Sequence, residues 1–314
     1  MEHFFAILEK ILFIILLIGT GVFAKKMKWV SDEGEKDLSR LSVDFVWPAM
    51  IFSSIVTTLS AEDILSNLLL PVLTAFIHLT GFAVGLATCR LAGYCGSEKK
   101  MLLFHATMNN FLAMSFPFAL FFFPEKGAAL LAVANLGSIV ILWTVGVIII
   151  AGNRGFAATA RNIFSPGMLS IVAGAACVLS GAGRFIPDFI MDVLSTLGGP
   201  TLFLGLFVAG TQIYKLGPCA LKFNGWNILV GFLRTILIPA ILFGCGLLLR
   251  GHVSRESLII FMIVSITPAN VNSVTLALKF GGAANLAAEG VLFTHIFGAG
   301  TMIGFIMLIE KFFL

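Results

Sequence analysis

The sequence predicts an all-α membrane protein of ten transmembrane helices, arranged as two inverted five-helix repeats. Three observations lead to this fold class. The 314-residue chain is 59% hydrophobic and only 11% charged, whereas a soluble domain carries roughly 25% charged residues. Its mean hydropathy is +1.03. Apolar stretches take up nearly the whole chain, and Pro and Asn residues interrupt two of them at similar positions.

The predicted spans follow from length, because a helix needs about 20 apolar residues to cross the bilayer core. They are residues 4–24, 38–59, 66–92, 99–123, 127–151, 165–183, 187–212, 223–249, 255–280 and 285–311. The chain then divides into a first repeat (1–151), a short cytoplasmic loop (152–164) and a second repeat (165–314).

The positive charges predict the orientation. The loops that follow the odd-numbered spans carry most of the 20 Lys and Arg residues. By the positive-inside rule, both termini are expected on the outer side of the plasma (inner) membrane. The basic residues are scattered and predict no nucleic-acid partner. The five Cys residues lack metal-ligand spacing and are expected to be packed, reduced thiols.

Prolines recur in the same order in the two predicted repeats. Spans 2, 3 and 4 contain Pro48, Pro71 and Pro117, and spans 7, 8 and 9 contain Pro200, Pro239 and Pro268. An odd number of spans in each half inverts the second half in the membrane. Inverted repeats with interrupted helices at equivalent positions are typical of secondary transporters.

Span 4 is predicted to break near its middle. Asn109 and Asn110 follow its first helical part, and Pro117 comes seven residues after Asn110. Proline interrupts a helix interior but suits the first turn of a new helix. Ser115 is a candidate N-cap for that helix.

Span 9 is predicted to break in the same way. Thr267 is a candidate cap for a half-helix that starts near Pro268, and Asn270 and Asn272 follow. Each half-helix N-terminus carries about +0.5 of a charge, so two facing ends predict an anion site. Two simple proline kinks, with Asn side chains in helix packing, are the alternative.

These breaks supply the predicted substrate-binding residues. They are Asn109, Asn110, Ser115, Pro117, Thr267, Pro268, Asn270, Val271 and Asn272. Three ionisable residues within the spans are candidates for ion coupling. Asp44 lies one turn before Pro48; it is either a carrier of the coupling proton or the partner of Arg40, one turn earlier. His105 lies one turn before Asn109; it either takes part in coupling or only packs in the helix bundle. Arg234 is expected to pair with an acid, to cap a backbone break, or to attract an anion.

Several stretches resemble the auxin efflux carrier family, a group of permeases that includes malonate transporters. They are residues 18–55, 135–150 and 162–181, the spacing from Asn110 to Pro117, and the motif Pro268-Ala269-Asn270-Val271-Asn272. The sequence departs from the family at Asn270, which replaces a small residue. It also departs at Asn109-Asn110-Phe111, which replaces Asn-Thr-Gly-Phe.

The resemblance implies a scaffold of spans 1, 2, 6 and 7, often dimeric, and a transport domain of spans 3–5 and 8–10 in which spans 4 and 9 cross. It implies elevator-like motion of that domain and transport of a small organic anion, with a proton or sodium ion as coupling ion. A ligand-sensing membrane protein and a channel are the alternatives. The sequence has no HExxH, Gly-x-Ser-x-Gly or Walker motif, so neither an enzyme nor a cofactor is expected.

Overall fold

The computed structural model describes residues 2–152, 165–217, 222–280 and 282–314, and these residues are almost entirely helical. The helices are α1 Glu2–Lys26, α2 Asp32–Thr58, α3 Ala61–Leu91, α4 Gly96–Thr107, α5 Phe111–Phe122, α6 Gly127–Ala151, α7 Pro166–Ser180, α8 Asp188–Lys215, α9 Gly225–Leu249, α10 Arg255–Ser265, α11 Ser273–Phe280 and α12 Ala284–Phe313. The predicted loop 152–164 lies outside the described residues from residue 153 onward.

Within the described ranges, six helices are long and apolar enough to cross a bilayer. They are α2, α3, α6, α8, α9 and α12. Large apolar side chains such as Leu16, Val72 and Leu248 stay exposed on the helices, which suits contact with lipid. The predicted membrane class is therefore confirmed. Predicted spans 4 and 9 each correspond to two short helices, α4 with α5 and α10 with α11.

Three long helices in the described part of the chain contain a π-turn. These turns lie at Ser42–Val46 in α2, Leu142–Gly146 in α6 and Leu233–Leu237 in α9. Two of them come just before Pro48 and Pro239. Proline lacks an N–H and clashes with the carbonyl four residues earlier, and a wider π-turn relieves that clash.

The helices pack in two groups. The first, which we call the scaffold group, contains α1, α2, α7 and α8; α1 packs along the second part of α8, and α7 packs on α2. Gly21 of α1 and Gly210 of α8 leave no room for a Cβ between the two backbones. Such close approach through small residues is common between membrane helices. The second, the crossing group, contains α3–α6 and α9–α12.

Candidate functional site

The two interrupted helices meet at their breaks. The segment between α4 and α5 runs antiparallel to the segment between α10 and α11, with a bridge between Asn109 and Ala269. The Asn110 N–H donates to the Pro268 carbonyl at 2.7 Å, and the Asn270 N–H donates to the Met108 carbonyl at 3.1 Å. These bonds replace those that a continuous helix would make. The backbone N–H and carbonyl groups freed at one break are therefore hydrogen-bonded to the other break.

The break in the first of these helices comes earlier than predicted. Helix α5 begins at Phe111, and Pro117 lies inside it. Ser115 is therefore wrong as an N-cap; its hydroxyl is buried and has no hydrogen-bond partner among the described residues. The bonds of Asn110 and Met108 to the other break end helix α4, and Pro117 does not start a helix.

The second break is longer than predicted. Helix α11 begins at Ser273, so a helix start near Pro268 is wrong. The Thr267 hydroxyl donates to the Val264 carbonyl at 2.9 Å and caps nothing. Asn270 instead forms the turn before α11, because its side-chain oxygen accepts from the Asn272 N–H at 2.8 Å and its carbonyl accepts from the Ser273 N–H at 3.1 Å.

A cavity of about 130 Å³ lies where α5 and α11 begin. Of the predicted binding residues, Asn110, Val271 and Asn272 line it. The opposite wall comes from the scaffold group, with polar side chains from α2 and α8. These are Ser39, Ser42, Thr201 and Gln212. No ionised side chain is among the described residues that line this cavity.

Asn109, Thr267 and Pro268, also predicted to bind substrate, hold the crossing together instead. The Asn109 amide donates to the Val264 carbonyl at 2.8 Å and is buried. Pro268 contributes its carbonyl to the pair of backbone bonds, and Thr267 contributes its carbonyl to Arg234. Ser115 and Pro117 do not line the cavity.

Arg234 is the largest fully buried side chain among the described residues. Its Nε donates to the Thr267 carbonyl at 2.9 Å, one terminal nitrogen donates to Ser265 at 3.0 Å, and the other donates to Ala106 at 3.4 Å. Of the three roles expected for Arg234, the structure contains the backbone cap. Pairing with an acid is wrong, since no carboxylate of the described residues lies within 4 Å of it.

Comparison with known proteins identifies the family. A family model described as membrane transport protein matches residues 6–162, which is half of the chain. The chain belongs to this family of membrane transporters. It is also 25% identical over 307 residues to an uncharacterized transporter of Methanocaldococcus jannaschii, with 92% of this chain and 94% of that protein covered. The resemblance noted from the motifs is thereby confirmed.

Two of the coupling candidates of this transporter lie away from the cavity at the crossing. Asp44 is exposed in the π-turn of α2 and pairs with Arg40 at 3.6 Å, which is the alternative considered above. His105 is fully buried in α4. It packs edge-on to Trp226, and a Cβ at Gly290 of α12 would collide with its ring. A coupling role for either residue stays a prediction.

One histidine that is not among the predicted site residues, His295, contacts the site directly. Nδ1 of His295 lies 2.8 Å from the Val291 carbonyl, and Nε2 lies 3.0 Å from the Asn110 amide nitrogen. The carbonyl can only accept, so Nδ1 carries the proton and Nε2 accepts from Asn110. His295 also lines a separate, otherwise apolar cavity of about 360 Å³.

A wider cavity of about 460 Å³ adjoins the site. It shares Ser39, Val43, Gln212 and Val271 with the smaller cavity. Beside it, the side chains of α1, α2 and α8 form a neutral network of ion pairs. The pairs are Lys25–Asp32 at 2.7 Å, Lys25–Glu35 at 3.2 Å, Lys215–Asp32 at 2.9 Å and Lys215–Glu35 at 2.9 Å.

The opposite face of the transporter has its own network. Helix α2 has 27 residues and is about 40 Å long, so its two ends lie on opposite faces. Near its far end, Lys126 lies 2.5 Å from Asp63, whose hydrogen bond raises the pKa of Lys126. The Asn67 amide donates to Glu256 at 3.0 Å and ties α3 to α10. No group of three or more metal-ligating side chains occurs in the described ranges.

Proposed function

We propose that this transporter is a secondary carrier of small organic anions, with its substrate bound at the helix crossing. One observation carries the proposal. The N-termini of α5 and α11 meet at a cavity lined by Asn110 and Asn272. Two such ends together supply about one positive charge, which matches one carboxylate, and Asn amides can donate hydrogen bonds to it.

The size and polarity of the cavity favour a small substrate. The cavity measures about 130 Å³, which suits a ligand of a few heavy atoms better than a bulky one. Ser42 and Thr201 offer hydroxyl groups, and Gln212 offers an amide. Hydrogen bonds to uncharged groups orient an anion without holding it as tightly as a buried Lys or Arg would, and a carrier must release its substrate.

We propose elevator-type alternating access. The cavity has one wall from the scaffold group and one from the crossing group, so sliding of the second past the first moves the bound anion. The adjoining cavity next to Lys36 and Arg40 is at the predicted cytoplasmic face, which makes this an inward-facing state. The ten-helix inverted repeat and the outward position of both termini belong to the same proposal.

We propose a proton as the coupling ion, with His295 as its carrier. If Nε2 gains a proton it can only donate, so Asn110 must turn its amide and present its oxygen. Protonation thereby changes what Asn110 offers to the substrate. His105 is the titratable neighbour that interacts electrostatically with His295.

Flux into proteoliposomes tests the transport proposal. Radiolabelled malonate is the first probe, in competition with a series of mono- and dicarboxylates, under imposed proton or sodium gradients. We expect saturable uptake driven by the proton gradient, and loss of uptake in Asn110→Ala/Asn272→Ala. Failure of every carboxylate to be taken up or to compete would contradict the proposal; saturable binding without flux would favour a sensor.

The coupling role of His295 has its own test. His295→Gln keeps a hydrogen-bonding partner for Asn110 but cannot be protonated, so we expect uptake that no longer varies with pH in the range where the wild type does. The control is His252→Gln, which removes an exposed histidine of the loop between α9 and α10. An unchanged pH profile in His295→Gln would rule out this role.

A further inference from the structure

The carbonyl groups around Arg234 share one origin. Ala106 is in the last turn of α4, Ser265 ends α10, and Thr267 follows it in the break. The last four carbonyls of a helix have no partner within that helix. The guanidinium of Arg234 thus binds the C-terminal ends of both half-helices that stop at the crossing.

The partial negative charges of the two helix ends balance the positive charge of Arg234. A helix C-terminus carries about −0.5 of a charge, so two converging ends carry about −1. Arg234 brings +1, is 0% exposed, and contacts no carboxylate in the described part of the chain. A buried charge is stable only when its surroundings compensate it. Here the helix ends provide that compensation.

We propose that the carbonyls of Ala106, Ser265 and Thr267 form a cation site that the protein fills with its own Arg234. Unwound carbonyls and half-helix C-termini are the groups with which transporters bind sodium. In this chain the guanidinium takes that place, and the π-turn Leu233–Leu237 carries it there. A carbonyl cluster already occupied by a side chain has no room for an inorganic cation.

The consequence for coupling rests on the proposed function. An inorganic ion must enter and leave during each transport cycle, whereas a side chain remains. The crossing would therefore keep its two helix ends neutralised in every state, without sodium. If Arg234 only donated hydrogen bonds, removing its side chain would leave no affinity for cations. If Arg234 fills a cation site, the empty site should bind a free cation when the side chain is removed.

The first experiment is chemical rescue by the guanidinium ion. Arg234→Ala removes the side chain and leaves a guanidinium-sized space, so a few millimolar guanidinium chloride should raise its Tm relative to the same concentration of choline chloride. A rise of about 2–4 °C corresponds to about 1 kcal/mol of binding in a chain somewhat smaller than this one. Wild-type protein should show no rise. Arg255→Ala is the matched control, because Arg255 also donates to two carbonyls but is exposed.

The second experiment uses sodium and does not depend on recovering Arg234→Ala. Arg234→Met keeps most of the side-chain volume but leaves the carbonyls without a cation. Its Tm should rise more in sodium chloride than in choline chloride, by a larger margin than in wild type. Arg234→Lys keeps a tethered charge and should respond to sodium as the wild type does.

The inference is wrong if neither guanidinium nor sodium stabilises the Ala and Met variants more than wild type. It is also wrong if Arg234→Lys responds to sodium as strongly as Arg234→Met. Both experiments measure stability and require no substrate, so their failure leaves the transport proposal standing. Conversely, absence of carboxylate flux leaves the cation site untouched.

Discussion

The two sides of the helix crossing differ in how they treat the ends of the half-helices. On one side, the N-termini of α5 and α11 face a cavity lined by neutral polar groups, and Asn272 remains exposed. On the other, the C-termini of α4 and α10 are closed over by a fully buried Arg234. The partial charges are similar in size and opposite in sign.

We propose that this difference separates a site for a substrate that is bound and released from a site that one side chain occupies permanently. A substrate must come and go, and we propose that its charge is met by helix ends and amides that line the cavity. The opposite charge needs no exchange, so a side chain of the protein neutralises it in a sealed position. If both proposals hold, one crossing combines an open anion site with a closed cation site.

The largest expected effect is a decrease in Tm when the Arg234 side chain is removed from the buried C-terminal ends of α4 and α10. Arg234→Ala leaves three buried carbonyls without a donor, each costing about 1–3 kcal/mol. The loss of several kcal/mol should lower the Tm by roughly 10 °C at 2–4 °C per kcal/mol. Thermal unfolding in detergent, compared with Arg255→Ala, measures it. An equal and small decrease in both variants would mean that the carbonyls find other partners.

Two adjacent asparagines give the next test of the open side. Asn110 lines the cavity, whereas Asn109 points its amide at the Val264 carbonyl. Asn110→Ala removes a donor to a charged ligand, worth about 1.5–3 kcal/mol, so we expect KM for a transported carboxylate to rise roughly 10- to 100-fold. Asn109→Ala should lower the Tm with little change in KM. The opposite pattern would move the substrate site to Asn109.

A smaller effect is expected where α3 supports the end of α4. Gly81 of α3 lies against the Ala106 carbonyl with no space for a Cβ. Gly81→Ala should displace that carbonyl from Arg234 and cost about 1–3 kcal/mol, as overpacking does. Gly244→Ala in α9, where a Cβ meets nothing within 4 Å, is the control and should leave the Tm unchanged or slightly raised. Equal Tm values for the two variants would contradict this packing.

Local sequence patterns were sufficient for much of the architecture. Hydrophobic length predicted the apolar helices, and the polar residues of spans 4 and 9 predicted two interruptions. Asn110 and Asn272, selected for their position beside these interruptions, do line the cavity. These inferences succeed because helix length, apolar composition and a break within a span are properties of neighbouring residues.

Local sequence patterns did not predict where the half-helices begin and end. Pro117 is the strongest local breaker in span 4, yet it lies inside α5. The break occurs at Met108 and Asn110 because their backbone groups bond to Asn270 and Pro268 of another helix. A local rule cannot include a hydrogen bond between residues so far apart in the chain.

The sequence by itself therefore determined that this chain is a membrane protein with two broken helices and asparagines at the breaks. Tertiary structure decided which groups share each site. It brought Ser42, Thr201 and Gln212 of the scaffold group to the cavity, and His295 to Asn110. It also placed the guanidinium of Arg234, a lone charge in an apolar stretch of sequence, in contact with the carbonyls of two helix ends. The physical reason is that helix ends acquire their partners only when distant segments fold against one another.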